Sequence, residues 1–320
     1  MRFPRSFCVE PKHGFHLIWK MHNSCFLLDG KDAKRLYLRC VFEDLVDVVD
    51  ASGNPVPRNK LKVLGASRLS SLNSHPSPNR KGKKKNRSKS KKPRNKSRRG
   101  SRSNYRKKQK NLKAGRREDE FKLKRKPDAG FDLHAYCIMD NHLHSMSTLH
   151  SDSTSLSKHM RNSHSRFAQS LNKMLDRSGA VGNDRPKTLP IEDIEGQIRV
   201  ALYIFTNPVR AGIVKDPCDI RIRHMSSCRL FTHGEKTEFS AMIVLPDWYL
   251  ALGKTPRKRQ AKFRKLLRLY LIEFGLMRKP ELTEGFYIGS KAWGQKRVAS
   301  ARAYAREQRK KAKEGSTAFT

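Results

Sequence analysis

Between Arg80 and Lys126 the chain carries 25 basic residues against three acidic ones. Tyr105 is the only aromatic residue between Lys81 and Lys113. A stretch so poor in apolar side chains buries too little surface to offset the entropy of ordering, so disorder is expected there. Four segments follow: residues 1–66 with core-like apolar patterning, the basic tract 67–127, a second patterned stretch 128–235, and a basic helical extension 236–320. No internal repeat is visible.

The charge speaks to partners rather than to fold. The net charge is +41, from 70 Lys and Arg against 29 Asp and Glu, and more than half of it sits in the 80–126 stretch. Such an imbalance favours a polyanionic partner, most simply nucleic acid bound through counterion release. No apolar run approaches the roughly 18 residues needed to span a bilayer, so no membrane role is expected. The opening Met1–Val9 lacks the long apolar region of a secretory signal, and six cysteines without framework spacing suit a reducing cytoplasm. Cys218, His224, Cys228 and His233 cluster without a Cys-x2-Cys pair, and read as a loop with two ordinary thiols.

Periodicity places the elements. Phe15–Trp19 reads as a short strand and Lys31–Phe42 as a helix. Asp132–Met139 and His142–Leu149 read as a hairpin turning at Asp140-Asn141, followed by a helix over Ser157–Leu175. A further helix is expected over about 192–206, ended by Pro208, whose ring disfavours helical geometry at Asn207 and which lacks an amide donor. In that helix Ile194, Ile198, Ala201 and Phe205 form one apolar stripe. At roughly 100° per residue, Tyr203 lies off the stripe and Asn207 shares its side, with Arg199 and Arg210 leaning the same way. Arg257–Phe274 is amphipathic: Phe263, Leu266, Leu267 and Tyr270 suit packing, while Arg264, Lys265 and Arg268 suit contact with nucleic-acid phosphates.

His142 and His144 stand two apart on an expected strand, so both imidazoles face one way. Imidazole is a common ligand for divalent metals, and the pair makes half a site. The alternative is an ordinary surface or core pair. Tyr203, beside an amide and two guanidinium groups, has the parts to handle a phosphodiester; the alternative is a packing tyrosine.

Ala135-Tyr-Cys-Ile-Met139, His142-Leu-His144 and the tract Tyr203-Ile-Phe-Thr-Asn-Pro-Val-Arg-Ala-Gly-Ile-Val214 together resemble the single-tyrosine HUH transposases, most closely the REP-associated tyrosine transposases. The resemblance covers about half of the chain. It implies an α+β, ferredoxin-like HUH endonuclease domain with a central antiparallel sheet, here split by the basic insertion and followed by the helical extension. It also implies that His142, His144 and Asn207 hold a divalent metal, magnesium or manganese, and that Tyr203 is the nucleophile. The implied reaction is single-strand DNA cleavage and strand transfer through a 5′-phosphotyrosine, on hairpin or repeat-containing DNA, by a monomer or homodimer in a bacterial, nucleoid-associated setting. Arg199, Arg210, Arg264, Lys265 and Arg268 would contact DNA. The sequence departs from this family at Asp140, where proline is common, and in its polar Ser145-Met-Ser147. The competing readings are a non-catalytic nucleic-acid-binding protein, domesticated or decayed from a transposase, and an RNA-binding or ribosome-associated protein.

Overall fold

The computed structural model describes residues 13–22, 25–42, 45–49, 52, 54, 122–126, 130–150, 153–237 and 239–317. Most of the basic tract, including its expected disorder, lies outside the described residues. The chain divides into two compact units, Met1–Asp47 with Lys124–Thr320, and Val48–Leu123.

Four strands form the central sheet: β1 (Gly14–Lys20), β4 (Phe131–Ile138), β5 (His142–Leu149) and β6 (Lys187–Pro190). Their order is β4-β5-β1-β6, and every neighbouring pair is antiparallel. Two short strands, β2 (Val46–Val49) and β3 (Lys122–Arg125), pair with each other. β3 falls inside the tract expected to be disordered, so that tract ends earlier than 127. A strand ladder satisfies backbone groups whatever the side chains are. Here Lys126 N–H donates to the Leu45 carbonyl at 3.0 Å, and its ammonium lies 3.6 Å from Asp47.

The helices are α1 (Gly30–Phe42), α2 (Ser153–Met174), α3 (Ile194–Arg210), α4 (Cys228–His233), α5 (Asp247–Leu250), α6 (Pro256–Phe274), α7 (Pro280–Thr283) and α8 (Lys291–Thr317). Among them, α1 buries Ala33, Tyr37, Leu38 and Val41, while α2 buries Leu156, Met160, Ser163, Phe167 and Leu171. Both sets follow helical spacing, and both helices lie on one face of the sheet. There the Trp19 indole stacks on His164 with ring centroids 3.9 Å apart, meets Phe167 edge-on, and donates Nε1–H to the Asp184 carbonyl at 2.9 Å. Gly182 lies against this indole, and a Cβ there would sit 2.4 Å from the ring, so only glycine fits.

Alternation along β1 sends His16 and Ile18 to the opposite face, where α3 packs. A bulge between Leu133 and Ala135 resets the pleat of β4. Cys137 consequently lies opposite His144 on β5, with Ile18 opposite it on β1. The helix α3 starts at Asp193, whose carboxylate accepts from Gly196 N–H at 2.6 Å. It runs through Pro208 to Arg210, past the expected end. Side chains take up carbonyls near the break: Thr206 Oγ1 donates to Leu202 O at 2.9 Å, and Arg210 donates to Tyr203 O at 2.7 Å. Proline this close to a C-terminus removes one hydrogen bond without ending the helix.

Among the described residues no helix is long and apolar enough to cross a membrane.

Candidate active site on the α3 face of the sheet

The apolar stripe of α3 does not act as one face: Ile194 is exposed, while Phe205 is buried among the C-terminal helices. Phe205 packs against Phe231 of α4 and Phe263 of α6, with centroids 5.2 and 5.9 Å away. Those C-terminal helices cover the outer side of α3, which is why Val200 to Pro208 are all buried. Tyr203, on the other side, is turned onto the histidines of the sheet. Its ring meets His144 edge-on at 5.7 Å and His16 at 6.2 Å.

His142 and His144 share a strand face, as expected, with ring centroids 5.0 Å apart and nearly perpendicular planes. Each has one ring nitrogen engaged. His142 Nδ1 donates to Asn141 Oδ1 at 2.6 Å, and His144 Nδ1 lies 2.9 Å from His16 Nε2. Burial, assisted by Lys20 and Arg210, holds the His142 pKa down to about 4. Burial and the neighbouring imidazoles push His144 well below the ordinary range. Both rings are therefore neutral near pH 7, as metal ligands must be.

Arg210 lies over Tyr203, its guanidinium carbon 3.8 Å from the ring centroid. It donates to Thr206 Oγ1 at 2.6 Å and to Asn207 Oδ1 at 2.9 Å. Burial lowers its pKa, and the Tyr203 hydroxyl opposes that effect. Among the described residues no carboxylate pairs with this half-buried cation, whose shown partners, Thr206 Oγ1, Tyr203 O and Asn207 Oδ1, are all neutral. Asn207 is buried beside it, with Nδ2 lacking any partner. Tyr270 of α6 is also buried with its hydroxyl unpartnered, and burial raises its pKa to about 12.

The donor set fits a divalent ion in part. Two neutral imidazoles with free Nε2 atoms on one strand face form a natural pair of ligands, and they suit manganese better than magnesium. Asn207 fits less directly, because its Oδ1 already accepts from Arg210 and shares any metal with that bond. Among the described residues no group of three or more His, Cys, Asp or Glu side chains is arranged to hold a metal, the Cys218–His233 cluster included.

Of the expected DNA contacts, Arg199, Lys265 and Arg268 are exposed. Arg264 is half-buried and donates to the Thr232 carbonyl near the end of α4, a bond that fixes α6 against α4. One of its guanidinium nitrogens is thus held by the fold. Sequence reasoning missed His16 and Lys20. The signal for His16 was available, since it interrupts an apolar strand on the face opposite Phe15, Leu17 and Trp19. Lys20 stands opposite His142 across the β1–β5 pair.

The turn carrying His142 is anchored from the opposite side by Lys34, buried on α1, which bonds to Asp140 and to the Leu28 carbonyl. Asp140, the departure noted in the sequence, is thus a structural partner.

No family model and no curated protein matches the chain. Among solved structures it is similar to a REP-associated tyrosine transposase bound to a REP hairpin, at TM-score 0.37 and 13% identity, over 74% of this chain and 95% of that one.

Proposed function

We propose that the protein is a single-tyrosine DNA strand-transfer enzyme of the HUH kind, built on a ferredoxin-like sheet. The observation that carries this reading is the packing of Tyr203 onto His144, 5.7 Å between centroids, beneath an Arg210 that has no carboxylate partner among the described residues. Nucleophile, metal ligands and an anion-binding cation thus meet on one sheet face. The strand order, with α1 and α2 together on the far face, supports the ferredoxin-like plan.

His142 and His144, with Asn207 Oδ1, would hold a divalent metal. When bound, such an ion would supply Lewis-acid polarisation of a non-bridging phosphate oxygen and offset charge developing there. Arg210 would orient the same phosphate by donated hydrogen bonds, and Lys20 at the edge of the site would hold a flanking phosphate. Tyr203 Oη then attacks phosphorus, its proton passing to solvent. The phosphorus–O3′ bond breaks, and the departing oxygen takes a proton to become a 3′-hydroxyl. The strand is left as a 5′-phosphotyrosine, and the reverse attack by another 3′-hydroxyl joins it elsewhere. The +41 charge supports a DNA substrate, with single-stranded hairpin DNA as the form implied by the family resemblance.

Tyr203 is only 6% exposed, so attack requires the side chains above it to move aside. That burial favours a second reading, a nucleic-acid-binding protein whose site is vestigial. The two separate in a denaturing-gel assay with labelled hairpin oligonucleotides and manganese. The enzyme reading expects an adduct that Tyr203→Phe and His142→Ala both abolish. Retained DNA binding without any adduct supports the second reading, and an adduct that survives Tyr203→Phe removes the nucleophile assignment.

A further inference from the structure

His16 is fully buried, on a strand the sequence marks as core. Its Nδ1 lies 2.8 Å from the Leu282 carbonyl oxygen, and its Nε2 lies 2.9 Å from His144 Nδ1. A carbonyl oxygen can only accept. The proton of neutral His16 must therefore be on Nδ1, which leaves a lone pair on Nε2. That lone pair can only accept in turn, so His144 must carry its own proton on Nδ1. The free lone pair of His144 is then on Nε2, the one remaining ring nitrogen.

We infer that His16 is a positioning residue that locks the tautomer and ring orientation of His144. The chain of bonds runs from Leu282 O through His16 to His144, and it presents His144 Nε2 as a ligand. A metal-binding histidine commonly has its second nitrogen held in this way by a carbonyl or carboxylate. Here the holder is another imidazole, itself fixed by a main-chain carbonyl of α7. Stacking of the two rings, with centroids 5.0 Å apart and planes 28° apart, adds an orientation constraint. Lys187 Nζ donates to the carbonyls of Thr283 and Glu284 at 3.0 and 2.7 Å, which steadies the end of α7 next to Leu282. The relay therefore rests on the C-terminal segment, about 140 residues beyond the histidine that it sets.

The metal part of this inference rests on the proposed reading of His142 and His144, whereas the tautomer part does not. Two measurements on the full chain separate them. Long-range nitrogen–proton correlation spectra of the metal-free protein report the His144 tautomer, and calorimetric titration with manganese alone reports affinity. The wild type is expected to show His144 protonated on Nδ1 and to bind manganese. His16→Leu removes the acceptor, and is expected to release His144 toward the Nε2–H form and weaken manganese binding by about tenfold or more. His16→Gln places an amide oxygen near the original Nε2, and is expected to restore both signals in large part. An unchanged His144 tautomer in a folded His16→Leu protein overturns the inference. So does a Gln variant that behaves like Leu while melting at the wild-type temperature. If the wild type shows the Nδ1–H tautomer but binds no manganese, the lock stands and the metal reading of the site falls.

Discussion

The two faces of the central sheet are built from the same strands and do opposite things. On one face Phe15, Leu17 and Trp19 meet α1 and α2, and the residues they touch are aromatic rings and aliphatic chains. On the other, His16, His142 and His144 meet α3, and the helix returns a tyrosine, an amide and a guanidinium. Both faces exclude water almost equally, since Trp19, His144 and Tyr203 all have little exposure. Burial of apolar rings stabilises the fold outright, whereas burial of imidazoles and a guanidinium stabilises only if each polar atom finds a partner. On the first face the Trp19 Nε1–H finds the Asp184 carbonyl, while Asn172 Oδ1 of α2 has no hydrogen-bond partner. The second leaves Asn207 Nδ2 and the Tyr270 hydroxyl unpartnered.

The comparison fails most visibly if the far face is not the stabilising one. Trp19→Ala is expected to lower unfolding free energy by about 3–5 kcal/mol, measured by chemical denaturation, with the manganese affinity of the remaining folded protein little changed. His144→Leu should show the converse emphasis, loss of manganese binding with a smaller stability cost of about 1–3 kcal/mol, because it leaves the buried His16 Nε2 without its donor.

Asp140→Asn tests the link between the faces. It leaves the Lys34 ammonium buried without its carboxylate, at an expected cost of about 2–4 kcal/mol, somewhat below a fully buried pair because Asp140 is partly exposed. Because that pair anchors the turn before His142, weaker metal binding should accompany the lost stability.

A pH titration of thermal stability in the absence of metal gives a smaller signal of fixed sign. His16 and His142 both fall from 6.5 to about 4 on folding, through burial, and His144 falls further below its ordinary value. The unfolded chain thus takes up protons first as pH drops. Stability should be level above about pH 6.5 and decline steadily from there toward pH 4. His224 and His233 are lowered too and add to the slope. A His16→Gln/His144→Gln double variant should flatten the curve, and an unchanged slope would place its origin elsewhere. Smallest of all, Lys265→Ala and Arg268→Ala should each weaken DNA binding uniformly across sequences and reduce the salt slope by about one.

Much of this plan was legible in the sequence, and the gaps have physical causes. Period-two and period-3.6 patterns located β1, the β4–β5 hairpin, α1 and α2 to within a few residues. The same reasoning put Tyr203 and Asn207 on one side of α3. It could not say which side of that helix the sheet would take, because Phe205 of the apolar stripe found its partners in α4 and α6 while Ile194 stays exposed. The sequence offered His16 as a polar residue in an apolar strand but not its partners, which depend on the β1–β5 register and on a carbonyl 266 positions away. The hydrogen bond from Arg264 to the Thr232 carbonyl can be seen only once α4 and α6 are packed. β3 was hidden by composition, since a four-residue strand of basic residues has no apolar pattern to betray it.

The central claim is that the polar face is a reaction centre and Tyr203 its nucleophile. Tyr270 is a second phenol within electrostatic reach of Arg210, so the site of attachment distinguishes the two side chains directly. The direct measurement is peptide mapping by mass spectrometry after incubation with hairpin DNA and manganese. The expected result is a nucleotide adduct on the peptide containing Tyr203, absent when the metal is chelated. An adduct on Tyr270, or a metal-independent one, would contradict the account.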